Sequence, residues 1–346
     1  MTINKLKNTI DNNNKLLRLY SVYLNEYSEM ITKELVQDIV NDCGVDEKTA
    51  FVSLLSAMLG LDTVDNRDDV LFEREYIAPS VTQLSNEKYL SDPYLVNIKI
   101  PRARLGSWEL TSARYQSYEG LIWNDIQVYK DLKEIPSLAF FSEPFEFPCV
   151  TENGREWMAI KPNEIETMRL PIEKAHGNVV TLGLGMGYFT YMVSEKQDVS
   201  SVTVIERDEN VIELFKAFIH PQFKNKDKIR IINCDAFDYL DTLNALSSVD
   251  YLFADIWHDA SDGFPLYLRI KKYEERLRNI RFEYWIEEML LSQLRSMLFS
   301  TAYGQLKAGE RLTVLGKVIQ SEDDLCEMLS SDNLKILASK LRKAEN

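Results

Sequence analysis

The sequence predicts an α/β fold built on a mostly parallel sheet, with a helical and an α+β region ahead of it. Apolar, β-branched runs recur at 179–182, 202–205, 228–233 and 249–254. Each run ends in a glycine turn or is followed within two residues by an acidic residue, and amphipathic segments of helical period separate them. Strands alternating with helical patterns indicate βαβ units and a parallel sheet.

Residues 1 to about 65 read as a helical bundle. LLRLYSVYLNEYSEMI and ITKELVQDIV carry apolar residues at three- and four-residue intervals, with Gly44 as a stop. DEKTAFVSLLSAMLGL gives a further helix, capped by Asp46 and ended near Gly60. Local packing accounts for such a bundle, and a homodimer contact is the competing use.

Residues 66–155 change to short β-rich runs, YLVNIKI, WELTSARYQSYEGLIW and FEFPCV, punctuated by prolines. Asn153-Gly154, between FPCVTE and REWMAI, is a two-residue hairpin signal. The region reads as antiparallel α+β, an elaboration on the substrate side. Its aromatics, Trp108 and Phe145 among them, can line a pocket, but core packing explains most of them. The remaining stretch, 156–346, begins with a short strand, a helix starting at Pro162, and then the glycine-rich strand.

VVTLGLGMGY at 179–188 places Gly183, Gly185 and Gly187 at alternate positions after a strand. Glycines let a backbone turn tightly and approach a ligand, and a helix N-terminus offers free N–H groups. VTVIERDENVIELF follows, and its strand ends in Glu206. A carboxylate at that place can accept both hydroxyls of a ribose. KIRIIN then leads to Cys234 and Asp235, and VDYLFA leads to Asp255. Ligands of open α/β sheets bind at such strand ends, so the unit reads as a site for an adenosine-containing ligand. A dinucleotide fingerprint needs Gly or Ala at position 188, where the chain has Tyr188. That argues against a dehydrogenase. Each acid has an ordinary competing role as a helix cap.

The G-x-G-x-G turn with Glu206, Asp235 and Asp255 in order resembles the class I S-adenosylmethionine (SAM)-dependent methyltransferase superfamily. SVTVIERDENVIELFKAFI, DAFDYL and DYLFAD followed by ASDG are similar to its spermidine-synthase-like branch, over roughly residues 156–290. The resemblance implies a Rossmann-like, mostly parallel sheet of the class I methyltransferase type. It implies SAM as cofactor, held by Gly183, Leu184, Gly185, Gly187, Glu206, Arg207, Asp235, Ala236 and Asp255. It implies catalytic or acceptor-contacting roles for Asp255, His258 and Asp259, and Glu166 or Arg169 on the helix before the glycines as further cofactor contacts. Two departures count against aminopropyl transfer. The acid that polyamine enzymes carry inside the glycine loop is Met186 here, and their Asp-Ser-Ser-Asp-Pro run becomes Asp255-Ile-Trp-His-Asp-Ala-Ser-Asp-Gly263.

After Asp255, PLYLRIKKYEERLRNI reads as helix, RFEYWIEE as a fifth strand, and EEMLLSQLRSMLFSTAYGQL as a long helix. A full methyltransferase sheet closes with a hairpin, for which RLTVLGKVI is the late candidate; the sheet therefore reads as shortened.

A net charge of −14 argues against a nucleic-acid substrate, because phosphate binding needs a basic surface. No apolar run reaches the length of a membrane span, and MTINKLKNTIDNNNK has no signal-peptide apolar region. Four scattered cysteines without a C-x-x-C pair indicate reduced thiols in a cytoplasmic protein. Asp255, His258 and Asp259 mix carboxylate and imidazole, but no further ligands accompany them, so no metal site is expected. An imidazole changes charge near neutral pH, which suits His258 as a general base. The expectation is a SAM-dependent methyltransferase moving a methyl group to an O or N nucleophile of a small molecule. The competing readings are a spermidine-synthase-like aminopropyltransferase and a SAM-binding protein without transfer activity.

Overall fold

The computed structural model describes residues 3–244, 247–307, 313–314, 317–319 and 321–341. In chain order its strands are β1 (Val81–Leu84), β2 (Ala103–Leu105), β3 (Trp108–Tyr115), β4 (Leu121–Val128), β5 (Glu134–Phe141), β6 (Phe145–Glu152), β7 (Arg155–Ala159), β8 (Gly177–Leu182), β9 (Val199–Glu206), β10 (Ile229–Asn233), β11 (Tyr251–Ala254) and β12 (Arg281–Tyr284).

The chain forms two compact units, one from Met1–Leu84, Gln116–Pro144 and Glu288–Lys340, the other chiefly from Ser85–Tyr115 and Phe145–Glu287. Neither follows the boundaries expected at residues 65 and 155. The reason is strand pairing. β1 and β4 flank β5 in one sheet, whereas β2, β3, β6 and β7 pair among themselves, so the middle stretch is shared out between two cores.

In the first unit, helices Lys33–Cys43 and Glu47–Met58 begin and end where the sequence signals lie. Asp46 accepts Thr49 N–H at 2.7 Å, and Gly44 terminates its helix at φ +66°. Phe51 stacks on Phe140 of β5 (centroids 4.3 Å) within a core that includes Leu16, Tyr20, Tyr23 and Leu138. The C-terminal helices Glu287–Lys307, Glu322–Met328 and Ser331–Lys340 also belong here, from Glu288 onward. Their tie to β5 is polar and buried. Arg295, fully buried, pairs with Glu134, donates to the Leu329 carbonyl (2.9 Å) and reaches Ser331 Oγ (3.2 Å).

The second unit holds a five-stranded, all-parallel sheet of order β10-β9-β8-β11-β12, a Rossmann-like arrangement. Strand order reverses at β8, which makes the carboxyl ends of β8 and β11 the topological switch point. RFEYWIEE supplies the fifth strand as expected. The late candidate hairpin contributes an isolated pairing, Thr313–Val314 with Lys317–Val318, outside the parallel sheet; residues 308–312, 315–316 and 320 lie outside the described residues. The same unit contains the antiparallel sheet β2-β3-β6-β7. Asn153 (φ +50°) and Gly154 (φ +80°) form the hairpin between β6 and β7, with Glu152 opposite Arg155.

One expected β run is helical instead. Within YLVNIKI, Pro93–Asn97 forms a short helix because Asp92 caps it, accepting Tyr94 N–H at 2.9 Å, with Pro93 at its first position. Among the described residues no helix is long and apolar enough to cross a membrane.

Candidate functional site

The carboxyl ends of β8, β9, β10 and β11 open on a cavity of about 440 Å³. Gly183, Leu184 and Gly185 line it from the turn after β8, Glu206 and Arg207 from the end of β9, Asp235 and Ala236 from the turn after β10, and Asp255 and His258 from the loop after β11. Thus nine of the expected residues share one cavity wall. Gly187 and Asp259 do not line it.

The glycine turn is held by contacts that leave no room for side chains. Gly183 sits at φ +100°, and a Cβ there would stand 2.0 Å from the Asp255 carbonyl oxygen. Gly185 sits at φ +51°, and a Cβ there would meet Met158 Sδ at 2.1 Å. Met158 also accepts Met186 N–H at 3.0 Å, so this thioether from β7 lies on the turn. Gly187 opens helix Tyr188–Ser194 at φ +74°, pressed by the Phe215 ring.

Each acid has work within the fold. Glu206 accepts Leu184 N–H (3.1 Å) through Oε2 and Asp208 N–H (2.9 Å) through Oε1, tying the turn after β9 to the turn after β8. A carboxylate oxygen has two acceptor directions, so both remain able to take a ligand hydroxyl. Asp235 caps helix Ala236–Thr242 by accepting Phe237 N–H at 2.7 Å. Asp255 continues the ladder, its N–H on the Leu182 carbonyl (2.9 Å). Burial, with the Glu206 charge adding to it, pushes the Asp255 carboxyl well above the usual carboxylate range.

Asp259 does something other than expected. Its carboxylate accepts Ser261 N–H and Asp262 N–H, and Asp262 returns a bond to Asp259 N–H, so the pair forms a capping box for helix Ala260–Arg276. His258 is exposed on one side and meets the edge of Trp157 at 4.0 Å between centroids. Its backbone N–H bonds the Asp262 carboxylate at 3.2 Å, and Nδ1 lies 3.9 Å from Asp262 Oδ2. Trp257 is buried against Gly263 and lines the same wall.

Glu166 and Arg169 point their bonding elsewhere. Glu166 pairs with Lys88 and Arg169, and neither lines the cavity. Glu164 takes that place. It stands in the first turn of helix Pro162–Lys174, is 7% exposed, and forms part of the cavity wall. Burial first, and the Asp255 charge second, push its carboxyl up as well. Sequence reasoning passed over Glu164 because an acid in a first helical turn is ordinary. Trp157 and Met158 were missed for a different reason: the hairpin that carries them reaches the cavity only through tertiary packing.

The lining is strongly acidic. Glu152, Glu164, Glu206, Asp208, Asp235, Asp255 and Asp262 face it, against one guanidinium, that of Arg207. Tyr188, where a dinucleotide motif would have Gly or Ala, is buried and donates to Asp92 at 2.9 Å.

No protein-family model and no curated protein matches the sequence. Among solved structures, a crystal structure of spermidine synthase in complex with the transition state analogue AdoDATO is similar at 14% identity and a TM-score of 0.30, over 40% of this chain and 48% of that one. A putative O-methyltransferase from Klebsiella pneumoniae is similar at 18% identity and a TM-score of 0.25, over 31% of this chain and 48% of that one. The chain spans about half the length of each.

Proposed function

We propose that the chain is a SAM-dependent methyltransferase that transfers a methyl group to an O or N nucleophile of a small molecule. One observation carries the reading: the glycine turn, Glu206, Asp235 and Asp255 converge on a single cavity at the switch point of a parallel sheet. The residues fit an adenosyl sulfonium. Strand order sets the acids in a row, Asp235 beyond β10, Glu206 at β9, the glycines after β8 and Asp255 after β11. Adjacent strands lie about 4.8 Å apart, so the row runs across roughly three strand spacings. Asp235 suits an adenine edge and Glu206 a ribose, which leaves Asp255 and Glu164 for the charged sulfur end.

SAM, when bound, supplies a methyl group already made electrophilic by the positive sulfur. The protein has then to position the acceptor and remove its proton. His258 faces the cavity with a carboxylate, Asp262, near Nδ1, and is the base for an O–H or N–H acceptor. Trp157 shields one side of the imidazole. A cytoplasmic location belongs to the same reading and is supported by the free cysteines Cys43, Cys149, Cys234 and Cys326.

Aminopropyl transfer is favoured by one feature, the acidic lining, which suits a more cationic ligand. Against it, Met186 is buried with its carbonyl held by Tyr94 (2.5 Å), so the glycine loop offers no acid. Binding without transfer is favoured by Met158 lying on Gly185. Against it, the 257–262 loop walls the cavity without filling it.

Calorimetric titration with SAM, S-adenosylhomocysteine, decarboxylated SAM and NAD tests these readings. Micromolar binding of the first two, about −8 kcal/mol, lost in Glu206→Ala, is expected. Binding of neither would refute the methyltransferase.

A further inference from the structure

We propose that Glu164 and Asp255 form the charge-reading end of the site: together they hold one proton, release it when a cationic ligand enters, and so select the sulfonium cofactor over its neutral thioether product. The inference rests on the SAM reading above and adds a specificity-determining residue, Glu164, that no motif marks.

Three observations support it. Glu164 is more than nine-tenths buried and walls the cavity, yet among the described residues no protein group donates a hydrogen bond to its carboxylate. Asp255 lines the same cavity, also without a side-chain donor among the described residues. Two like charges on one cavity wall cannot both ionise cheaply. A shared proton relieves that repulsion until a cation arrives. In addition, strand order puts Asp255 at the end of the row away from Asp235, where an adenosyl ligand aligned with Asp235 and Glu206 carries its sulfur, and Glu164 shares the cavity wall with it.

One cation competes: Lys161, itself paired with Glu156, acts on Glu164 and opposes the upward push on its carboxyl, which burial and the Asp255 charge outweigh; Glu206 adds negative charge from β9. His258 and Asp262 face the pair's side from the loop after β11; Glu152, Arg207, Asp208, Cys234 and Asp235 line the rest. Entry of a sulfonium favours the doubly ionised pair and expels the proton. The neutral thioether has no such preference. Apparent affinity for SAM should therefore rise with pH, while affinity for S-adenosylhomocysteine should stay level. The proton balance is one proton to solvent per SAM bound at most, and no bond in either ligand changes.

Isothermal titration of the full chain with each ligand, in phosphate and in imidazole at pH 6, 7 and 8, reads this directly. The buffers differ in ionisation enthalpy, so the heat difference counts protons. We expect up to one proton released by SAM, none by S-adenosylhomocysteine, and a ratio of their Kd values that shifts by at most about tenfold per pH unit. Glu164→Gln should abolish the SAM proton release while still binding S-adenosylhomocysteine, which verifies that the variant is folded. His258→Gln, which removes the imidazole on the same cavity wall, should leave the release in place. SAM binding without buffer dependence, or equal release by both ligands, overturns the proposal and leaves the cofactor reading standing. Release lost in His258→Gln and kept in Glu164→Gln overturns it too. Binding of neither ligand overturns both.

Discussion

Gly185 has two candidate reasons to be glycine, the approach of a ligand and the presence of Met158, and a double-mutant cycle separates them. Gly185→Ala meets two costs. At φ +51° an alanine adds about 1 kcal/mol of left-handed strain. Its Cβ would also fall 2.1 Å from Met158 Sδ, so that side chain must leave the turn. Met158 is half-buried and gives up the Met186 N–H bond when displaced. Partial loss of its apolar burial costs on the order of 1–2 kcal/mol. The single variant should therefore lose about 2–3 kcal/mol. Met158→Ala alone should lose about 1–2 kcal/mol. Combined, the strain persists but the collision is gone, so the double variant should be more stable than the sum of the singles by about 1 kcal/mol or more. Urea unfolding gives the stabilities, and SAM titration of the same proteins gives the function. If the stabilities show that coupling but SAM binding stays lost in the double variant, the bare backbone serves the ligand. Strict additivity of the two stabilities would refute the packing argument.

Arg295→Met strands the buried Glu134 carboxylate and should cost about 3–5 kcal/mol in thermal or urea unfolding; adding Glu134→Gln should recover a good part of it, and a further loss would contradict the pairing. Asp259→Ala removes a helix cap and should cost about 0.5–2 kcal/mol with turnover nearly intact. His258→Gln should instead lower kcat by about 10²–10⁴ once an acceptor is known, and equal effects in the two variants would reverse their assigned roles. Asp125, whose carboxyl burial pushes up to about 7, accepts Glu288 N–H (3.0 Å) and Met289 N–H (3.1 Å). A raised carboxyl binds more protons folded than unfolded, so its contribution is complete below the unfolded value and is lost as pH rises through about 7. Unfolding followed from pH 4 to pH 8 should show that decline, and Asp125→Asn should flatten it.

What could be read from the sequence was local. Val179–Leu182 and Val202–Ile205 are β-branched or aliphatic at every position, on both faces, as suits buried parallel strands, and the residue at each strand's carboxyl end is fixed by chain order alone. Glu206, Asp235 and Asp255 were therefore legible together. The D-x-x-H-D run was legible as a cluster but not as to role. Asp259 sits where a helix begins, and capping that helix satisfies two backbone donors, the N–H groups of Ser261 and Asp262. Glu164, Trp157 and Met158 enter the cavity from a helix start and a hairpin whose positions depend on contacts distant in sequence. YLVNIKI has the composition of a strand, but Asp92-Pro93 in front of it favours a helical turn. The division of the middle stretch between two cores follows from β1 choosing β5 as partner, a pairing across more than fifty residues that no local pattern announces.

The three-segment makeup of the first unit has a consequence for how the chain is made. Residues 1–84 leave the ribosome some two hundred residues before the helix that begins at Glu287. At bacterial to eukaryotic synthesis rates that interval is roughly 10–40 s. Within it, once made, Glu134 waits without Arg295, and Asp125 without the N–H groups of Glu288 and Met289. The stretch Phe145–Glu287, by contrast, brings the whole parallel sheet in one continuous emission. Released fragments ending near residue 290 should therefore resist protease across the parallel sheet while the N-terminal helices remain open to cleavage and to chaperone capture.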